Sequence, residues 1–195
     1  TDEIACIVIK VLWGRFNSFP NEDTESTNAP FHEAFLKAFK NDLKQEVDIP
    51  YLINISSWLH GLKTTLGQVF FEEVSHVLSN GYKYSFTQKQ GNHLVITQQQ
   101  QRIINDLIAG LKNNVIKPDL ISEDKEIIKA TSDTKFVDAP DFTVDNFVEN
   151  DDVIECYELK TVRPNAGQMQ GEKQKILQAK SALLLKYPGK QVKYF

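Results

Sequence analysis

Cysteine is nearly absent: Cys6 and Cys156 are the whole complement, too few for a disulfide framework. The four histidines, His32, His60, His76 and His93, stand at no ligand spacing to them, which argues against structural zinc. No run approaches the roughly 18 apolar residues that a bilayer span requires, and the opening Thr1-Asp2-Glu3 lacks the basic start of a secretory signal. The expected location is therefore the cytoplasm, with no membrane partner.

What is present reads as one globular domain of ordinary size. Of the 195 residues, 41% are hydrophobic and 25% charged, far from disordered composition and enough for a single core. A formal charge of −4 argues against nonspecific coating of nucleic acid. The average conceals an asymmetry, because residues 160–195 carry a net +7 and residues 1–159 a net −11.

The apolar pattern sets the element order. Ile4 to Trp13 is a short apolar run, and Phe19 to Pro30 has the polar and proline content of a loop. Phe31, Phe35, Leu36, Phe39 and Leu43 return at helical spacing, which predicts a helix over Phe31 to Glu46. A second helix is predicted from Leu66 to Asn80, stopped by Gly81, with Glu73 inside its apolar stripe. Tyr82 to Thr87 and His93 to Thr97 read as a hairpin around Gln90-Gly91-Asn92. A helix follows from Gln98, carrying Ile103, Ile104, Leu107, Ile108 and Leu111. Then come strands from Phe142 to Val148 and from Val153 to Val162, a helix from Gln168 to Lys186 and a strand from Val192 to Phe195. The expected architecture is mixed α/β. A helical part over residues 1–60 precedes a core over residues 66–195, in which helices flank a mixed sheet. The end at Phe195, inside a strand-like run, is expected to be that of an incomplete C-terminus.

The chemistry sits on the strand pair. If Glu149, Asn150, Asp151 and Asp152 form a four-residue loop, Val148 pairs with Val153 and Asp141 falls opposite Lys160. Alternation then puts Asp141, Glu158 and Lys160 on one face. Two carboxylates that close disfavour joint ionisation unless a cation intervenes, and Lys160 neutralises part of the charge. Mg²⁺ suits the remainder, since it accepts one or two carboxylates and completes its shell with waters and phosphate oxygens. A phosphodiester-cleaving site is expected, with Asp141 and Glu158 as metal ligands and Lys160 as the positioning cation. A surface salt-bridge ladder accounts for the same three residues on spacing alone.

Pro140-Asp141, sixteen intervening residues and Glu158-Leu159-Lys160 resemble the motif of PD-(D/E)xK nucleases. A second copy, Pro118-Asp119 followed by Glu123-Asp124-Lys125, has no strand pair around it and is set aside. The stretches Glu158-Leu-Lys-Thr-Val-Arg-Pro-Asn165, Gly171-Glu-Lys173 and Thr65-Leu-Gly-Gln-Val-Phe-Phe-Glu-Glu73 look like the type II restriction endonucleases of the TdeIII family. That resemblance, over roughly residues 60–190, implies a Mg²⁺-dependent bacterial or archaeal endonuclease. Its target would be a short double-stranded palindrome of the GGNCC type. It also implies a homodimer, since identical subunits read identical half-sites, and a chain continuing beyond Phe195. It further implies a helical metal carboxylate at Glu73 or its neighbour Glu72, where the plainer reading is a side chain snorkelling to water.

Arg163 and Asn165, leaving the catalytic segment, are candidate DNA contacts, although Pro164-Asn165 also forms turns. Lys173, with Lys175 and Lys180, adds field for holding a polyanion, where a solvated helix face is the plainer explanation. His76 and His93 are expected to be packing or surface residues rather than general bases. Other readings of the chain are a repair or junction nuclease of the same fold, and a DNA-binding module without activity.

Overall fold

The computed structural model describes residues 2–21, 49–160 and 166–195. The expected helix from Phe31 to Glu46, most of the loop before it, and Arg163 and Asn165 lie outside the described residues. The chain folds as two compact units, residues 1–77 and 78–195.

In the first unit, helix α1 (Asp2–Phe16) and helix α2 (Ile49–Thr65) are joined by polar contacts. The Arg15 guanidinium donates to the Gly61 carbonyl at 2.7 Å and to Thr65 Oγ1 at 2.9 Å. The Trp58 indole N–H donates to the Arg15 carbonyl at 2.8 Å, and the Phe19 ring meets Trp58 edge-on at 4.9 Å. The run that reads as a short apolar segment is thus the middle of a 15-residue helix.

After α2 the helix continues through one π-helical turn, Leu66–Phe70, into α3 (Phe71–Ser79). Asn80, at φ 56°, takes the left-handed conformation that ends it. Gly81 is needed for a different reason. A Cβ there would lie 2.0 Å from Asn146 Oδ1 and 2.9 Å from the Phe147 carbonyl oxygen, so only a bare backbone lets the chain pass strand β4 (Phe142–Glu149).

The second unit is built on a mixed four-stranded sheet with helices packed on it. Strands β1 (Tyr82–Phe86), β4, β5 (Val153–Tyr157) and β6 (Gln191–Tyr194) lie side by side in the order β1-β4-β5-β6. The first two pairings are antiparallel and β5-β6 is parallel. The expected hairpin between residues 82 and 97 does not form. A 3₁₀ turn, Gln88–Gln90, diverts the chain, and β2 (Val95–Thr97) instead pairs with β3 (Phe136–Asp138). Tyr84 and Phe86 pack into the core beside β4, and this tertiary burial outweighs the local turn signal.

Helix α4 (Gln98–Lys112) starts on a capping box. Thr97 Oγ1 accepts from Gln100 N–H at 3.0 Å, and Gln100 Oε1 accepts from Thr97 N–H at 2.9 Å. One glutamine of the run Gln98 to Gln101 is therefore a buried structural cap. Helix α5 (Leu120–Lys129), unforeseen from the sequence, is capped by Asp119. Glu123 and Asp124 of α5 pair with Lys173 and Lys180 of helix α6 (Ala166–Lys186). The second Pro-Asp copy is thus a helix cap followed by two interhelical ion pairs. Ile104, Ile108, Ile127 and Leu177 fill the space among α4, α5 and α6. Ala179, Ala182 and Leu183 of α6 meet Val144, Phe147, Ile154 and Cys156 of the sheet.

Burial pushes the Cys156 thiol up to about 12, whereas Cys6 is exposed. Unfolded, Cys156 ionises near the ordinary value of 9.0, so this contribution to stability is lost as pH rises from there toward 12. An aromatic disulfide reagent at pH 8 is expected to modify one thiol in the native protein and two in denaturant. Two rapid native reactions would contradict this burial.

Candidate active site

The turn between β4 and β5 is tighter than the assumed four-residue loop. Asn150 N–H donates to the Val153 carbonyl at 2.9 Å, and the ladder pairs Val148 with Glu155 and Phe147 with Cys156. Asp141 therefore does not stand opposite Lys160 but precedes the first residue of β4. The physical reason is that alternation fixes which face a residue occupies but not which of two registers, two residues apart, the strands adopt. Because the offset is even, Cys156 stays on the core face, and Glu158 reaches the helix packed there.

Strand β5 ends at Tyr157, so Glu158 and Lys160 follow it rather than lying within it. Main-chain contacts still hold them. Glu158 N–H donates to the Phe195 carbonyl at 2.9 Å, just past β6, and Leu159 N–H donates to Asp145 Oδ2 at 3.0 Å.

Glu158 is the centre of an ion network. Its side chain is only 6% exposed, with Oε1 3.0 Å from Lys160 Nζ and Oε2 2.7 Å from Lys175 Nζ on α6. Lys160 Nζ also lies 3.1 Å from Glu172 Oε1. Burial by itself would lower the Lys160 ammonium, but hydrogen bonds to Glu158 and Glu172 outweigh it and raise its pKa above the ordinary lysine value. The group stays charged across neutral pH. The second oxygen of Glu172 and the Tyr194 hydroxyl are buried with no hydrogen-bond partner among the described residues. Burial, and then the charge on Glu158, raises the Tyr194 phenol.

Asp141 is held from the other side. Its Oδ1 lies 2.9 Å from His93 Nδ1 and accepts from Gln88 N–H at 3.1 Å. His93 Nε2 is 3.5 Å from Asp138 Oδ1. Asp141 and Lys175 line one cavity of about 170 Å³, together with Gly171, Gln174 and Gln178 of α6. Lys175 thus connects the two candidate carboxylates, since it lines the cavity with Asp141 and is paired with Glu158.

The comparisons with known proteins agree with a nuclease reading. The family described as type II restriction endonuclease, HinfI, matches residues 1–195. The chain belongs to that family. Type II restriction enzyme MjaII of Methanocaldococcus jannaschii is 40% identical over 197 residues, covering 100% of this chain and 52% of the relative. The chain thus spans about half the length of that curated relative. No solved structure matches it. The family that matches is HinfI, and the class it shares with the TdeIII resemblance, type II restriction endonuclease, is what carries over.

In this HinfI-family chain the structure adds residues that spacing did not single out. His93 touches a candidate carboxylate, and Glu172 and Lys175 meet the motif from α6. Glu172 is the sole acid after Lys160, and Lys175 stands three residues on, along the same helix flank. Those were the available signals. Lys173, a candidate DNA contact, is paired with the buried Glu123. Glu72 and Glu73 lie in the first turn of α3, in the first unit, and the site described here uses the second unit alone.

The donors suit a hard cation. Asp141 and Glu158 offer carboxylate oxygen, and the partnerless buried oxygen of Glu172 marks a place where a donor or cation would be accommodated. Among the described residues no three His, Cys, Asp or Glu side chains form a ligand cluster.

Proposed function

We propose that the protein is a Mg²⁺-dependent PD-(D/E)xK endonuclease, hydrolysing phosphodiester bonds of double-stranded DNA at a short palindrome and acting as a homodimer. The observation that carries this reading is the cavity lined by Asp141 and Lys175, with Lys175 paired to Glu158 beside Lys160. Family membership supports the same class. In hydrolysis a water oxygen bonds to phosphorus, one P–O ester bond breaks, and the leaving oxygen takes up the proton that the water loses. Asp141 and Glu158 are the residues that would hold Mg²⁺, which when bound lowers the pKa of a ligated water and offsets phosphate charge.

The chain's own residues prepare the rest. His93 and Gln88 N–H fix the Asp141 carboxylate, and Lys160 and Lys175 each pair with one oxygen of the buried Glu158 carboxylate. Arg163 and Asn165 are proposed to touch DNA next to the cut, and the +7 segment supplies attraction for the duplex. The GGNCC-type target came with the TdeIII resemblance, and it remains the first sequence to try.

A plasmid of known sequence, incubated with the protein and Mg²⁺, is expected to give a fixed fragment pattern whose ends map to one palindrome. Asp141→Ala is expected to give no fragments while melting like the parent. Random degradation, cutting only of branched DNA, or an active Asp141→Ala would each overturn the reading. Sedimentation showing only monomers on cognate duplex would remove the dimer.

A further inference from the structure

Lys160 is heavily engaged by its own chain. Its ammonium contacts Glu158 at 3.0 Å and Glu172 at 3.1 Å, which occupies two of its three N–H donors. Lys175 differs on both counts. Glu158, at 2.7 Å, is its hydrogen-bond partner among the described residues, and Lys175 lines the cavity that also holds Asp141. Gly171, Gln174, Lys175 and Gln178 line that cavity at i, i+3, i+4 and i+7 of α6. One flank of the helix thus offers an ammonium between two amides. Such a surface, with the small Gly171 leaving room, matches the non-bridging oxygens of a phosphodiester.

We propose that Lys175 is a catalytic residue whose ammonium contacts the scissile phosphate inside this cavity, while Lys160, held between Glu158 and Glu172, positions Glu158. This rests on the nuclease reading above and adds to it a second cation, supplied by α6. A phosphate entering beside Asp141 would meet Lys175, and the charge that builds on its oxygens in the transition state would be offset where it forms.

The test uses a plasmid that the parent protein cuts, with saturating protein and Mg²⁺. Lys175→Gln keeps an N–H for Glu158 but removes the charge. It is expected to slow cleavage at saturating protein by about 100-fold or more, a larger factor than the loss of duplex affinity measured without divalent ions, to which one phosphate contact contributes. Lys175→Arg is expected to recover part of the rate. Added ethylammonium is expected to restore cleavage to Lys175→Ala but not to Asp141→Ala, a rescue that a purely structural lysine would not show. It also serves as the deciding readout if Lys175→Gln folds poorly. Cleavage by Lys175→Gln within about threefold of the parent, or no amine rescue, overturns the proposal while an inert Asp141→Ala leaves the nuclease reading standing. An active Asp141→Ala would instead remove the reading on which it rests.

Discussion

Glu158→Gln is expected to lower single-turnover cleavage by at least about 10³-fold with little loss of duplex binding. The carboxylate is the hub of the network, almost fully buried and contacting two ammonium groups at 3.0 and 2.7 Å. An amide of the same shape keeps the hydrogen-bonding outline but offers no anionic oxygen to a cation. Folding should suffer less than catalysis. Removing one partner of a fully buried pair costs about 3–5 kcal/mol. Here the lysine side chains are 43% and 31% exposed, so water replaces much of what they lose and a cost of about 1–2 kcal/mol is expected. A cleavage assay paired with a urea melt checks both numbers. A variant that cleaves within tenfold of the parent would show that the hub is a salt-bridge ladder and no more.

Phe147→Ala should give the largest loss of stability. Its ring is fully buried on β4, with centroids 5.3 Å from Tyr84, 5.9 Å from Tyr82, 6.0 Å from Phe86 and 6.4 Å from Tyr187. Deleting it removes the contact surface that joins three elements, β1, β4 and the end of α6, and leaves a cavity that the rigid sheet cannot close. The expected cost is about 3–5 kcal/mol by urea unfolding. Phe136→Ala, at a ring 57% exposed on β3, is the control and should stay within about 0.5 kcal/mol of the parent. A loss below about 1 kcal/mol at Phe147 would mean that the sheet and α6 are not anchored on this ring.

Much of this was legible in order and type. The helices at 98–112 and 166–186 and the strands at 142–149, 153–157 and 191–194 follow from periodicities that tertiary contacts reinforce, because the same apolar residues that make each pattern also make the core. Elements whose partner is distant in sequence were harder to read. Residues 82–86 and 95–97 look like a hairpin, yet each pairs with a strand about forty or more residues away, since the buried aromatic cluster on β1 is worth more than a short turn. Helix α5 was hidden because its inward side chains include Glu123, whose burial depends on Lys173 of another helix. Gly81 reads as a helix stop, and the helix does end just before it, but only the fold shows that a bare backbone there lets Asn146 approach.

The candidate site divides along the same line. By itself the sequence determined that the chain is mixed α/β, that a carboxylate and a Glu-x-Lys flank one β-hairpin, and that positive charge gathers after residue 160. These are local facts, written in alternation and composition. The tertiary structure decided the register of that hairpin, the exit of Glu158 and Lys160 from β5, the seating of Asp141 against His93, and the arrival of Glu172 and Lys175 from α6. The reason is physical: period two fixes faces but leaves an even shift in register open, and the charge that meets a buried carboxylate is set by how a helix docks on the sheet.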